Sequence, residues 1–307
     1  MHVNDAHFEP QKDQSKPQHF WGHETTQYRV KVRPFSHVPA EFTIQRISFE
    51  RDLETANRAY ENGYTNCTTK RGQRVKGDRP PDAESIERSQ RRAKTTVRLL
   101  ATELAPNALV TFTTRATISL DRLLECFQHF TRSMRLAGYQ FEYVAVPERH
   151  PSNPEHLHLH VAYRGRTPFG IMRRFWHMAI ESLHGRRVSR ILRGADSPGN
   201  IDVQNLKAGS QIKRCRKIAR YISKYITKDL IAEFNRRRYW PSKGISLADA
   251  RVYWLDSLTM VDAIREACGM LGQWDCMNDV PAQRLFYPSD RVAWCAIDPD
   301  ATPPPPF

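Results

Sequence analysis

The run Glu155-His156-Leu157-His158-Leu159-His160-Val161 repeats with a period of two. Side chains alternate across an extended strand, so His156, His158 and His160 share one face while Leu157, Leu159 and Val161 share the other. The segment therefore reads as a β-strand with one buried face. Adjacent histidines in it lie roughly 6–7 Å apart at Cα. Two of them can share one cation, but three on a straight strand hardly can. Taken alone, the pattern also suits an exposed sheet face.

Periodicity around that strand predicts the neighbouring elements. Leu109–Thr114 is a β-rich run. Leu120 to about Leu136 reads as a helix, with Leu123, Leu124, Phe127, Phe130 and Met134 at helical spacing, and Gly138 ends it. Phe141–Val146 and His156–Tyr163 are two strands joined through a turn at Pro151–Pro154. Phe169–Leu183 is a second helix, with Met172, Phe175, Trp176 and Ile180 in its apolar stripe. Ile201–Leu206 is a fourth strand, and a further helix runs from Gln211 to about Phe234. This order predicts an α+β fold of the ferredoxin-like or RRM-like kind, an antiparallel sheet with helices on one face.

Upstream, a helix is predicted from near Asp82 to about Leu104, with Asp82 as its N-cap. Residues 1–40 read as a polar arm with one short strand at Tyr28–Val32, and a helix is possible around Phe49–Tyr60. Three regions follow from this: a basic N-terminal arm and extension at 1–82, a central domain at 83–235, and a C-terminal extension at 236–307. Ala301–Phe307 reads as a disordered Pro-rich tail.

The 307 residues carry a net charge of +14. Such an excess points to a polyanionic partner, most simply nucleic acid. The charge is clustered: eight Lys/Arg and no acid lie between Lys207 and Lys228. Lys213, Arg214, Lys217, Arg220 and Lys228 are the candidate DNA contacts. The six cysteines form no CxxC pair, and Cys126 and Cys215 fall on apolar helix sides. A reducing cytosol is expected. Residues 1–21 hold no signal-peptide core, and no apolar run is long enough to cross a membrane.

Glu148 ends the partner strand of the histidine strand and can reach the histidine face through a hairpin. Two imidazoles and a carboxylate suit a divalent cation and leave open positions for substrate oxygens. Tyr221 and Tyr225 are four residues apart and share a helix face, as do Lys224 and Lys228. A purely structural apolar stripe of Ile218, Tyr221, Ile222 and Tyr225 is the competing reading. The lysines argue against it, because an ammonium favours a phenolate and stabilises charge on a phosphate.

Together these segments resemble the HUH endonucleases, specifically the rolling-circle replication initiators of phages and plasmids. Val110–Thr114 is similar to the family's first motif. Glu148 with His158-Leu159-His160-Val161-Ala162 is similar to the second, and Tyr221-Ile222-Ser223-Lys224-Tyr225 to the third, in its two-tyrosine form. The resemblance covers about residues 85–235 and implies that 83–235 is the catalytic domain. It also implies metal ligands His158, His160 and Glu148, with His156/His158 as the alternative pair, and Mg²⁺ or Mn²⁺ as the cation.

The implied activity is nicking of single-stranded origin DNA, with Tyr221 and Tyr225 as nucleophiles assisted by Lys224. The products are a 5′-phosphotyrosine link and a free 3′-hydroxyl. The chain has no Walker-type Gly-rich loop. A separate host helicase and a DNA polymerase are therefore the implied partners, in the cytoplasm of a bacterial host cell. A transposase or relaxase of the same superfamily would share this site. A non-catalytic nucleic-acid-binding protein on a ferredoxin-like sheet is a different class, for which aromatic platforms are the usual signature. A zinc hydrolase would leave the tyrosines without a role.

Overall fold

The computed structural model describes residues 26–47, 83–150, 152–204, 210–227, 237–270, 284–289 and 291–296. In chain order the strands are β1 (Thr26–Arg33), β2 (Glu41–Arg46), β3 (Ala108–Thr114), β4 (Glu142–His150), β5 (Asn153–Arg164), β6 (Gly199–Gln204), β7 (Trp240–Pro241), β8 (Arg251–Ser257), β9 (Arg284–Ser289) and β10 (Val292–Ala296). The α-helices are α1 (Ala83–Leu104), α2 (Leu120–Leu136), α3 (Phe169–Ser182), α4 (Gln211–Ser223) and α5 (Met260–Met270).

The central antiparallel sheet has the order β6-β3-β5-β4-β7. Helix α2 connects β3 to β4, and α3 connects β5 to β6, which is the predicted ferredoxin-like α+β plan. Both crossover helices pack on one face. There Phe112 meets Phe127, Phe130 and Trp176 edge-on at 5.0–5.4 Å between ring centroids. Leu157, Leu159, Val161 and Tyr163 of β5 point into the same cluster. The opposite face is covered too. Val97, Leu100 and Ala101 of α1, with Ile218 and Ile222 of α4, pack on Leu109, Val144, Val146 and Ala162.

Several boundaries differ from the periodicity reading. β4 and β5 extend further into their hairpin, to His150 and from Asn153, because the ladder continues past the alternating segment. β6 begins at Gly199 rather than Ile201. The tyrosine helix is α-helical only to Ser223 and gives way to a 3-10 turn over Lys224–Thr227. Tighter turns of this kind commonly close helix C-termini. The expected continuation to Phe234, the helix around Phe49–Tyr60, Asp82 and the Pro-rich tail lie outside the described residues.

The expected strand at Tyr28–Val32 is present within β1. It belongs to a second antiparallel sheet, of order β8-β1-β2-β10-β9, built from both ends of the chain. Its apolar face, including Tyr28, Val30, Phe42, Ile44 and Leu255, is covered by Ala263, Ile264 and Ala267 of α5. Arg98 of α1 donates to both Glu41 carboxylate oxygens, at 2.6 and 2.9 Å, and so ties the second sheet to the central layer. Cys126 and Cys215 are buried as expected. No helix among the described residues is long and apolar enough to cross a membrane.

Gly199 sets how closely β6 approaches β3. A β-carbon there would stand 2.3 Å from the Thr113 carbonyl oxygen and 2.8 Å from Ile180 Cδ1. Gly199→Ala should therefore lower the unfolding free energy by about 1–3 kcal/mol in a urea titration. Gly269→Ala on α5, where a β-carbon meets nothing within 4 Å, should be neutral or stabilising.

Candidate active site

The β4–β5 ladder pairs Glu148 with His158 and Val146 with His160. On the other side of β5, Thr113 pairs with His158 and Thr111 with His160. Cross-strand partners project to the same face. Thr111, Thr113, Glu148, His158 and His160 therefore share the face that α1 and α4 cover. Glu148 and His160 are both buried there. They meet directly, with His160 Nε2 2.7 Å from Glu148 Oε2. His160 Nδ1 lies 3.1 Å from Thr111 Oγ1. With the carboxylate ionised, Nε2–H donates to it, and the neutral ring accepts at Nδ1 from the threonine hydroxyl.

Ser210 caps α4 by accepting from the Lys213 backbone N–H at 3.1 Å. Ile218, Ala219 and Ile222 anchor the helix over the sheet. This packing brings the 3-10 turn onto the histidines. The Tyr225 ring lies flat on His160, with centroids 3.7 Å apart and planes 5° from parallel. Tyr221, one turn earlier, meets Tyr225 edge-on at 5.4 Å. Lys224 Nζ is 6.0 Å from the Tyr221 ring centroid.

The two phenols differ in environment. Tyr225 is only 8% exposed, whereas Tyr221 is half-buried. Burial, followed by its hydrogen bond to Tyr221 and the nearby Tyr221 and Glu148 groups, raises the Tyr225 pKa well above the usual phenol range.

Of the anticipated residues, Glu148, His160, Tyr221, Tyr225 and Lys224 converge at one place. His158 lies beside them, 6.2 Å from His160 between ring centroids. His156 sits further out along β5, with Nε2 3.1 Å from Thr117 Oγ1. Lys213, Lys217, Arg220 and Lys224 follow one another at spacings of four, three and four, which aligns them along one side of α4 and its 3-10 turn. Lys217, Arg220 and Lys224 are exposed. Arg214 instead points to the far end of the sheet, into a cavity it shares with Arg164 and Arg166. Lys228 lies outside the described residues.

Two neighbours were missed from sequence. His150 packs edge-on against His158, at 4.8 Å between centroids, and Thr111 holds His160. His150 continues the alternation Val146, Glu148, His150 along β4, so the signal was present once the strand is carried two residues further.

Among the described residues, no three His, Cys, Asp or Glu side chains are arranged to hold a metal. The Glu148 carboxylate is engaged with His160. The donor chemistry nonetheless fits a divalent cation. Thr111 holds Nδ1 of His160 and leaves Nε2 facing the carboxylate, as outer partners of metal-bound imidazoles do. Burial first, then the neighbouring His150 and His160, lower the His158 pKa and favour its neutral, ligating form.

That shift has a definite pH consequence. A histidine with a depressed folded-state pKa contributes its full stability above the unfolded value, 6.5 here, and loses it as pH falls through the folded value. In chelator-treated protein the His158 ring should titrate below 6.5 by NMR. His150→Ala should move that midpoint upward and reduce the acid-side loss of stability. An unmoved midpoint would contradict the cluster's electrostatics.

No curated protein and no solved structure matches the chain. One family model does. It spans residues 107–230, which include β3, the β4–β5 hairpin and the tyrosine-bearing segment. All of the converging residues fall inside that span, and the strands of the second sheet fall outside it. The model is that of the replication-associated protein ORF2 family, and the match supports a replication initiator role for this chain.

Proposed function

We propose that this replication initiator nicks single-stranded origin DNA by tyrosine transesterification and so starts rolling-circle replication. The observation that carries the reading is the stack of Tyr225 on His160, whose Nε2 meets Glu148, with Tyr221 one turn away. Two phenols beside a buried imidazole–carboxylate pair exceed what a structural helix stripe requires. A phenolic oxygen attacks the scissile phosphorus, the bond from phosphorus to the 3′-oxygen breaks, and a proton passes to the leaving oxygen. The 5′-phosphate is then esterified to tyrosine, and the 3′-hydroxyl is free to prime a polymerase. Because the ester conserves the phosphodiester linkage, strands can be rejoined without ATP.

Tyr221 is the first nucleophile in this scheme. It is the more accessible phenol, and the Lys224 ammonium beside it stabilises both phenolate and phosphorane charge. Tyr225, held as a neutral phenol by burial, serves as the alternating second nucleophile. His158, His160 and Glu148 would hold Mg²⁺ or Mn²⁺. The cation supplies charge stabilisation at the phosphate oxygens. Lys213, Lys217 and Arg220 position the DNA backbone without reading its bases. Strand separation falls to a host helicase, and extension to a host DNA polymerase.

Phenylalanine preserves the packing and removes only the hydroxyl, so it separates chemistry from folding. With single-stranded origin DNA and Mn²⁺, Tyr221→Phe and Tyr225→Phe should each retain some covalent adduct on a denaturing gel. The double variant should form none, and an adduct from it would exclude both tyrosines. His158→Ala and His160→Ala should each slow nicking by roughly 100-fold or more, the scale of losing charge stabilisation at the reacting phosphate. DNA affinity should remain largely intact, because phosphate contacts come from Lys and Arg. Normal cleavage by His158→Ala alongside failure of His156→Ala would shift the ligand pair along β5.

A further inference from the structure

The second sheet has two unlike faces. One is the apolar face under α5. On the other, strand register aligns Trp254, Arg29, Gln45 and Val292 in one row across β8, β1, β2 and β10. The next row is Val252, Lys31, Thr43 and Trp294. Trp254 is 43% exposed and Val252 45%, unusual for large apolar side chains on a sheet. Arg29 and Lys31, in the adjacent strand, are exposed as well. Trp294 is half-buried, with the Arg98 guanidinium 5.8 Å from its ring centroid.

The charge on this face is mostly positive. Arg29, Lys31 and Arg33 stand in alternate positions of β1. Of the acids sharing the face, Glu41 is engaged by Arg98, and Asp256 sits at the end of β8 beside Gln27. A surface meant for an apolar protein partner would not set cations between its tryptophans. Aromatic rings alternating with cations instead match the chemistry of a nucleic-acid strand, whose bases stack and whose backbone is anionic. From β8 to β10 the face spans three strand spacings, roughly 14 Å. Sheet platforms of this width accommodate about two or three bases.

We propose that this face is a second DNA-binding site, a stacking platform for single-stranded DNA. Trp254 stacks a base, and Arg29 and Lys31 hold adjacent phosphates. The choice of DNA as the strand rests on the initiator function proposed for the chain. The platform holds a flank of the strand being cut and so raises its effective concentration at the catalytic site.

The test uses the full chain, a labelled oligothymidine and excess chelator, with binding read by fluorescence anisotropy. Trp254→Ala should weaken binding about tenfold, and Trp254→Phe, which can still stack, by much less. Arg29→Ala/Lys31→Ala should weaken binding and flatten its salt dependence by a slope of about 1–1.5 for two phosphates. An abasic oligonucleotide of equal length should bind wild type and Trp254→Ala alike. Thermal melts of each variant check that the fold is intact.

The proposal is overturned if Trp254→Ala binds oligothymidine as wild type does. It is also overturned if that variant loses abasic and normal DNA equally, or if duplex DNA competes as well as single strands. Because no cleavage occurs in chelator, the binding outcome is independent of adduct formation. A failure of the tyrosine mechanism would leave the binding result to stand or fall alone.

Discussion

The pleat of β5 is the constraint on which both the core and the candidate chemistry depend. Leu157, Leu159, Val161 and Tyr163 enter the aromatic cluster around Phe112, while His158, His160 and Ala162 face α1 and α4. A one-residue slip of the strand would exchange the two sets. Imidazoles would then enter an apolar core, where an unpaired polar group costs several kcal/mol, and leucines would occupy the site. The apolar face thus locks the register that holds His160 between Thr111 and Glu148.

The site is assembled from elements that are distant in sequence. Thr111 comes from β3, Glu148 from β4, His160 from β5 and Tyr225 from the turn after α4. Each makes a contact that fixes its neighbour's orientation. The buried carboxylate is satisfied by an imidazole, and the imidazole by a hydroxyl and a stacked phenol. Burial separates the two tyrosines chemically: one is a deeply held phenol and the other is half-exposed beside an ammonium. That asymmetry is created by the sheet beneath them, since their spacing on the helix treats them alike.

The second sheet changes how the ends of the chain are understood. β1 and β2 pair with β8 and β10, more than 200 residues away, so the N-terminal segment from Thr26 is structural as well as basic. The Arg98–Glu41 pair joins this sheet to α1, which itself packs against α4. The extension is therefore mechanically connected to the helix that carries the tyrosines.

Much was legible in local pattern. The alternation at His156–Val161 placed histidines and apolar residues on opposite faces, and the four-residue spacing of Tyr221 and Tyr225 placed both phenols together. The order of strands and helices from Leu109 onward pointed to the ferredoxin-like plan. These are properties of short segments, governed by backbone periods of about 2 and 3.6 residues. Tertiary structure alone decided the rest: that His150 packs on His158, that Tyr225 rather than Tyr221 stacks on His160, that Arg214 turns away from the lysine stripe, and that two weak terminal strands find partners across the whole chain. Each depends on register between segments far apart in sequence. Periodicity says which face a side chain occupies, and only packing determines what that face meets.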